Sequence, residues 1–497
     1  MGTMRFTLPA NLGAEAAREL RRTYVTGGPD NFPLPTETTI KSGELIIRRP
    51  VEDSGYVAVP WDFASLGRLL SSSGTLIERT EPYWLRLELV RGKLHLLRSL
   101  AAEGQERGRL FLPGVLVDQI DHLTRDFTHI VHQAPSPQTE KQAQVLLERA
   151  YQAAEQLVLL RADERLGIRH QRLGPLDALM GCRLGSAALV PEQAAIVART
   201  FNSVQLRMTW KEVEPTESNY LWDAYDAHLE WAEKQGLAVT AGPLIEFAPA
   251  SLPDWLWLWE RDLSSVATFM CDYVATALRR YAGRIRTWQL TAASNCGNVL
   301  ALGEDEREYL TIRLMQLARK LDPNIELIIG IAQPWGEYMA QEDYTYSPVI
   351  FADTLVRSGL DLAAIDLEVT PGFWPRGSYC RDLMEVTRLF ELYRSLHVPL
   401  RLTLGYPAAA MPDPEADPER ALDAGHWHGG FTATVQAEWA AAVTTLALSD
   451  DAVRGIHWVH LSDAQPHQFP HSGLFDNQNR PRPILNQFLS LRQLHLR

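Results

Sequence analysis

The chain has little cysteine, no long apolar run and no excess of positive charge, and each shortage removes a class of function. Its four cysteines, Cys182, Cys271, Cys296 and Cys380, lie far apart in 497 residues, without metal or redox spacing. They are read as reduced thiols of an intracellular protein. No stretch approaches the roughly 20 apolar residues needed to cross a bilayer. The opening residues, Met1-Gly-Thr-Met-Arg-Phe-Thr-Leu-Pro9, lack the apolar segment of a secretory leader, so a cytoplasmic location is expected. The formal charge is −13, whereas nucleic acid or an anionic membrane as main partner demands a basic face. Neither partner is expected. What remains is the composition of a folded globular protein, 46% hydrophobic and 22% charged, long enough for two domains.

Two of the fourteen tryptophans, Trp61 and Trp84, precede residue 200, and the other twelve follow it. Short alternating runs such as Thr39–Arg48 and Gly55–Pro60, punctuated by Gly, Pro and Asn, predict a small β-rich module over 1–135. Residues 81–100 fit a strand or a helix equally well. Thr139-Glu-Lys-Gln142 reads as a capping box opening a helix, with Ala143, Leu146, Leu147, Ala150, Ala154 and Leu157 as its apolar stripe. This connector occupies 136–175. Beyond it, over 176–497, apolar runs alternate with amphipathic helices, the pattern of parallel βα units. Eight strands are predicted: Ala178–Leu189, Phe201–Met208, Leu237–Phe247, Ile285–Ala293, Glu326–Ala332, Leu362–Thr370, Pro399–Tyr406 and Gly455–Ser462. Helices between them include Asp223–Lys234, Ser264–Tyr281, Glu306–Leu321 and Asp382–Leu396. The expected fold class is α/β, a TIM (β/α)8 barrel with an added N-terminal β-rich module and helical connector. Its functional site belongs at the C-terminal ends of the strands.

Gly455-Ile-His-Trp-Val-His-Leu-Ser-Asp463, Ser472-Gly-Leu-Phe-Asp476 and Arg480-Pro-Arg-Pro483 follow one another near the end of the chain. That order resembles the closing strand and tail of family-10 glycoside hydrolases, the endo-xylanases, with their "TxWGxTD", "LLFD" and "PKPAY". Working backwards, Met208-Thr-Trp210 with Val213-Glu-Pro215 is similar to the family's "NEMKW…IEP". Gly242-Pro-Leu-Ile-Glu-Phe247 with Leu252-Pro-Asp-Trp255 is similar to its "GHTLVWH…LPxW". The resemblance covers about 178–490 and is carried by spacing more than by identity. At the family's sugar-contacting positions stand Gln205, Leu206 and Thr209 on the second strand, and Gly242 and Glu246 on the third.

The resemblance places the family's acid/base at the end of the fourth strand, where Trp288-Gln-Leu-Thr-Ala-Ala293 ends in alanine. It places the nucleophile in Leu402-Thr-Leu-Gly-Tyr406, at Leu404. A retaining glycosidase needs two carboxyl groups about 5–5.5 Å apart, and neither alanine nor leucine supplies one. No Asp or Glu occurs between Trp288 and Leu302 or between Pro399 and Pro412, so a small alignment slip does not restore them. The resemblance therefore implies a divergent barrel that binds a saccharide of xylan type, or a partner, without the two-glutamate hydrolysis. The candidate contacts are Trp335, Trp374, Trp427, His460 and Asp463.

Two alternatives stand beside that expectation. Catalysis by relocated carboxylates would make the protein an active O-glycosyl hydrolase with Glu246 and Glu368 as the acids. Asp366 and Glu368 alternate with apolar residues, so they share the face predicted to line the barrel interior. The bland version of the same residues is a buried polar layer, with Asp366 or Glu368 paired to Arg207 and Gln205, Gln289 and His460 completing it. The second alternative is a metal-dependent hydrolase, because His426, His428, His457, His460, His467 and His471 crowd near Asp463. No cofactor or metal is assigned from the sequence. Loop aromatics, Tyr338, Phe373, Tyr379 and Phe469 among them, suit sugar stacking.

Overall fold

In the computed structural model, residues 2–9, 12–27, 32–50, 54–106, 112–134, 136–342 and 344–497 are described. Eight parallel strands close a barrel: Leu179–Leu184, Ser203–Leu206, Ala238–Ala241, Thr287–Ala292, Glu326–Ile331, Leu362–Val369, Leu400–Leu404 and Val453–Trp458. Each pairs in parallel with its neighbours, the eighth returning to the first through Gly455↔Leu179, and Ile245–Glu246 prolongs the third strand. All eight predicted strands are present, shortened at their ends. Runs such as Glu-Leu-Ile-Ile-Gly-Ile (326–331) are buried over most of their length, because one face meets the barrel interior and the other the helices. Helix Asp223–Lys234 falls where the sequence puts it, with Tyr225, Leu229 and Ala232 buried and two of its four acids, Asp223 and Asp226, in the first turn.

The N-terminal region is strand-rich, as read, and the open question over 81–100 is resolved toward a helix. Strands occupy it only as far as Tyr83–Trp84, after which come helices Leu85–Glu106 and Gly114–Val131. The alternation across 84–90 looks like a strand, but Leu85, Leu89, Lys93, Leu97 and Ala101 recur every four residues and are all buried. That longer period places one helical face against the connector helix. The connector, Pro137–Leu173, begins earlier than the proposed capping box. Ser136 is its cap, accepting from the Thr139 amide, while Thr139 Oγ1 accepts from the Ser136 amide. The predicted apolar stripe, Ala143 to Leu157, is buried.

The N-terminal strands do not stand apart from the barrel. His426–Trp427, in the loop after the seventh barrel strand, pairs antiparallel with Gly67–Ser72 and becomes the edge of a five-stranded N-terminal sheet. A buried ion pair and a buried hydrogen bond reinforce the contact. Lys93 Nζ lies 2.6 Å from Asp382 Oδ2, and Tyr379 donates to Glu19 at 2.8 Å. The module therefore forms a wall beside the C-terminal mouth of the barrel. No helix among the described residues is long and apolar enough to cross a membrane.

Candidate functional site at the barrel mouth

Inside the barrel is a dry polar layer. Arg183 Nη2 donates to Thr403 Oγ1 at 2.8 Å and to Asp366 Oδ2 at 3.3 Å, and Thr403 donates to the same carboxylate at 2.7 Å. Gln205 and Gln289 close the ring through a 2.5 Å bond. A buried carboxylate persists only when paired in this way. The expected polar layer exists, but with other partners: Asp366 is paired by Arg183 and not by Arg207. The interior histidine is His457, 3.3 Å from Ser203 Oγ, and not His460.

One layer higher, Arg207, Glu246, Ala293 and Glu368 reach the mouth. Glu246, Ala293 and Glu368 line one cavity of about 250 Å³ together with Trp374, Tyr338, Tyr344, Arg376 and Arg420. The two acids differ sharply. Glu246 is buried and every donor nearby converges on it. Arg207 Nη2 and Ser251 Oγ each reach Oε2 at 2.8 Å, and Gln468 Nε2 reaches Oε1 at 2.6 Å. Burial alone would raise its carboxyl, but the guanidinium and the two neutral donors override that and hold it at about 2. Glu368 is only half-buried and no side chain among the described residues hydrogen-bonds its carboxyl. Burial raises it, against the pull of the Arg420 charge, and the ionised Glu246 raises it further. One acid is kept ionised and the other is pushed toward its neutral form.

A pH-dependent stability follows for Glu368. A carboxyl raised in the folded state costs nothing below its unfolded value and destabilises as pH climbs through and beyond that value. Glu368→Gln is therefore expected to match the wild type in Tm near pH 4 and to exceed it at pH 8. A Tm at pH 8 at or below that of the wild type would contradict the assignment.

The family-like positions have a structural explanation. Gly242, set against a sugar-contacting histidine by the sequence resemblance, sits at φ +102°, and a Cβ there would lie 2.0 Å from the Gln289 carbonyl oxygen. No side chain fits. On the fourth strand Gln289 faces the interior, but the register shifts between Gln289 and Thr291, so simple alternation does not extend to Ala293; that residue, just past the strand end at φ +55°, nevertheless lines the cavity. On the seventh strand Arg401 and Thr403 face inward, bonding Thr240 and Asp366, so Leu404 points toward the helices and is fully buried. The inward set continues at Gly405. The mouth thus has no carboxylate on the seventh strand under either placement.

Of the proposed sugar contacts, Trp374 lines the cavity and takes the Arg22 guanidinium 5.1 Å from its ring centre. Trp335 is packed under Arg381, whose guanidinium lies 4.4 Å from its ring centre, and Trp427 is buried against His428 beside the N-terminal sheet. Neither lines the cavity. The six C-terminal histidines also disperse. His426 and His428 lie at the N-terminal sheet and His457 inside the barrel. His460, His467 and His471 gather with Asp413 and Asp463 in a separate cluster that does not border the cavity. Arg376, Arg420, Tyr344 and Gln468 were not singled out from sequence. They sit in the loops that follow the fifth to eighth barrel strands, 7 to 16 residues beyond the strand ends, and no local pattern marks them.

The architecture is that of a (β/α)8 barrel with its cavity at the C-terminal face. Residues 177–330, from the first barrel strand into the fifth, match the family model for Glycosyl hydrolase family 10, so the barrel is family-10-like. That span includes Gly242, Glu246 and Ala293. Among solved structures, native xylanase 10B from Thermotoga maritima aligns at TM-score 0.47 and 16% identity, covering 68% of this chain and 98% of that one. The family-10 protein of Paenibacillus barcinonensis aligns at TM-score 0.48 and 17% identity, covering 65% and 97%. Xylanase 10B from Thermotoga petrophila RKU-1, solved with xylobiose, aligns at 0.47 and 16%, covering 67% and 97%.

Proposed function

We propose that this protein binds a saccharide in the mouth cavity and does not cleave it by the two-glutamate displacement. The observation that carries the reading is the state of Glu246: both of its oxygens already accept bonds from Arg207, Ser251 and Gln468. A carboxylate so engaged is a poor nucleophile, because three donors stabilise its charge and hold it in place, and attack on an anomeric carbon would weaken those bonds. The cavity nevertheless keeps what sugar recognition uses. Trp374 and Tyr344 offer aromatic surface, while Arg376, Gln333 and Asn298 offer polar groups. The family-10 match makes xylan-type oligosaccharides the first ligands to try.

A second reading rests on Glu368. An unpaired carboxyl with a raised proton affinity, beside an ionised partner and open to a cavity, is the pairing that general acid catalysis uses. One experiment separates the two. Calorimetric titration with xylo- and cello-oligosaccharides is run on wild type and on Trp374→Ala, alongside turnover of an aryl-xyloside by wild type, Glu368→Gln and Glu246→Gln. Binding that weakens about tenfold in Trp374→Ala, the effect of losing roughly one aromatic contact, with no turnover in any form, supports the binding role. Turnover by the wild type that disappears in Glu368→Gln would favour the relocated acid. No binding to any sugar would defeat both.

A further inference from the structure

Also on the C-terminal face, the loop after the seventh strand and the long segment after the eighth bring two carboxylates and three imidazoles together. The side chains of Asp413, Asp463, His467 and His471 are 3%, 1%, 2% and 10% exposed. Their hydrogen-bond geometry poses a problem that neutral rings do not solve. His467 Nδ1 lies 2.7 Å from the Gln465 carbonyl oxygen, and His471 Nε2 lies 2.6 Å from that of Met411. A carbonyl oxygen only accepts, so each of these nitrogens carries its ring's hydrogen. The other nitrogen of each ring is then bare, and both bare nitrogens face Asp413 Oδ2, His467 Nε2 at 3.1 Å and His471 Nδ1 at 3.4 Å. The His471 amide donates to that same oxygen at 2.8 Å, but neutral rings would still direct two lone pairs at it, a buried arrangement that a proton on a ring or a metal cation would relieve.

We propose that His467 Nε2, His471 Nδ1, Asp413 and Asp463 hold one divalent metal ion of the zinc class, in a structural site separate from the mouth cavity. Asp463 Oδ1 lies 3.9 Å from His467 Nε2, and Asp413, Asp463 and His471 each offer a ligand atom within 4.8 Å of one another. Zinc bonds of about 2.0–2.1 Å in a tetrahedron set ligand atoms roughly 3.3 Å apart; the two contacts to Asp413, at 3.1 and 3.4 Å, match this, and the 3.9 Å from Asp463 to His467 would contract on binding. Two imidazoles with two carboxylates suit zinc and its neighbours rather than calcium or magnesium, which take oxygen ligands. The supporting contacts are those of a metal centre. Both rings are oriented by backbone carbonyls through their far nitrogen. Asp463 is fixed by Arg482 Nη2 on Oδ2 at 2.6 Å, and on Oδ1 by the Gly473 amide at 2.7 Å and His460 Nε2 at 2.9 Å. Two carboxylates against one guanidinium leave the pocket a net negative charge for the ion to balance. The near-complete burial of the four side chains suits a structural role better than a hydrolytic one, which keeps a position open to substrate.

The site ties two loops together, and Gln468 within the second of them donates to Glu246. Metal would thus also steady the mouth, although the proposal does not depend on what the mouth binds.

The test begins with purified full-length protein dialysed against EDTA and then into metal-free buffer. Titration with zinc chloride, followed by gel filtration and elemental analysis, is expected to leave one zinc per chain and to raise Tm by about 2 °C or more. Cobalt loading should give the visible absorption of a tetrahedral ion. His467→Ala and His471→Ala should lose the retained zinc, while the surface variant His129→Ala keeps it. Should either site variant fail to fold, Asp413→Asn, which keeps the side chain's size, serves in its place. Wild type retaining no zinc would mean that a shared proton alone satisfies Asp413, and the proposal would be overturned. Site variants that retain as much zinc as wild type would overturn it equally.

Discussion

Arg207→Met is expected to lower the unfolding free energy at pH 7 by about 3–5 kcal/mol, the cost of removing one partner from a buried charge pair. Arg207 Nη2 lies 2.8 Å from Glu246 Oε2, and their side chains are 14% and 6% exposed. The guanidinium is the strongest of the influences that hold the Glu246 carboxyl at about 2 against an ordinary value of 4.5. A depressed carboxyl contributes stability that is present above its unfolded value and is lost as pH falls toward the folded one. That contribution is of the order of 3 kcal/mol for a gap of this size. In wild type it should drain away between about pH 4.5 and 2. In the variant the same carboxyl is buried without its cation, so its proton affinity rises and acidification should cost the variant less than wild type. Chemical denaturation at pH 7, 5 and 3 measures both effects. A loss under about 1 kcal/mol at pH 7, with pH profiles running parallel, would show that Ser251 and Gln468 suffice.

Lys93→Met is expected to be comparably damaging, about 3–5 kcal/mol by the same reasoning, and to act between the N-terminal region and the barrel. The Lys93 side chain is 2% exposed, with its ammonium 2.6 Å from Asp382 Oδ2 and 4.1 Å from the centre of the Tyr151 ring. Asp382 does two jobs, since its other oxygen accepts from the Glu385 amide and caps helix Leu383–Arg394. Burial already pushes its carboxyl up, against the Lys93 charge. Without the ammonium the charge is stranded. The double variant Lys93→Met, Asp382→Asn should recover much of the loss, because asparagine still caps the helix and no lone charge remains. A single variant close to wild type, or a double variant no better than the single, would place the docking energy in the apolar contacts around the pair.

Lys93 also shows what a sequence hides. It sits in the middle of the stripe Leu85, Leu89, Leu97 and Ala101, an odd place for a lysine in an amphipathic helix. Its partner is 289 residues further along, and no local pattern links the two. The metal cluster is similar. His460, His467 and His471 are close in sequence, but Asp413, which makes sense of two of them, lies 54 residues before His467 on another loop. The sequence reading of Asp366 and Glu368 as inward-facing holds because strand alternation is local. Which arginine meets which acid did not follow, because Arg183 and Arg207 lie in successive layers of a barrel whose stagger the sequence does not state.

By itself, the order of residues determined the eight-stranded barrel, the helix at Asp223–Lys234, the connector's apolar stripe and the lack of acids at Ala293 and Leu404. Each of these is written in periods of two or about four residues, or in composition, which a linear chain carries directly. The tertiary structure alone decided that Glu246 is bound on both oxygens while Glu368 is left open. It also decided that Gly242 has no room for a side chain, and that Trp335 and Trp427 are walled in while Trp374 faces the cavity. Those outcomes depend on backbone approaches of a few ångströms between segments tens to hundreds of residues apart. Burial and charge act through space, and the chain's order records only neighbours along it.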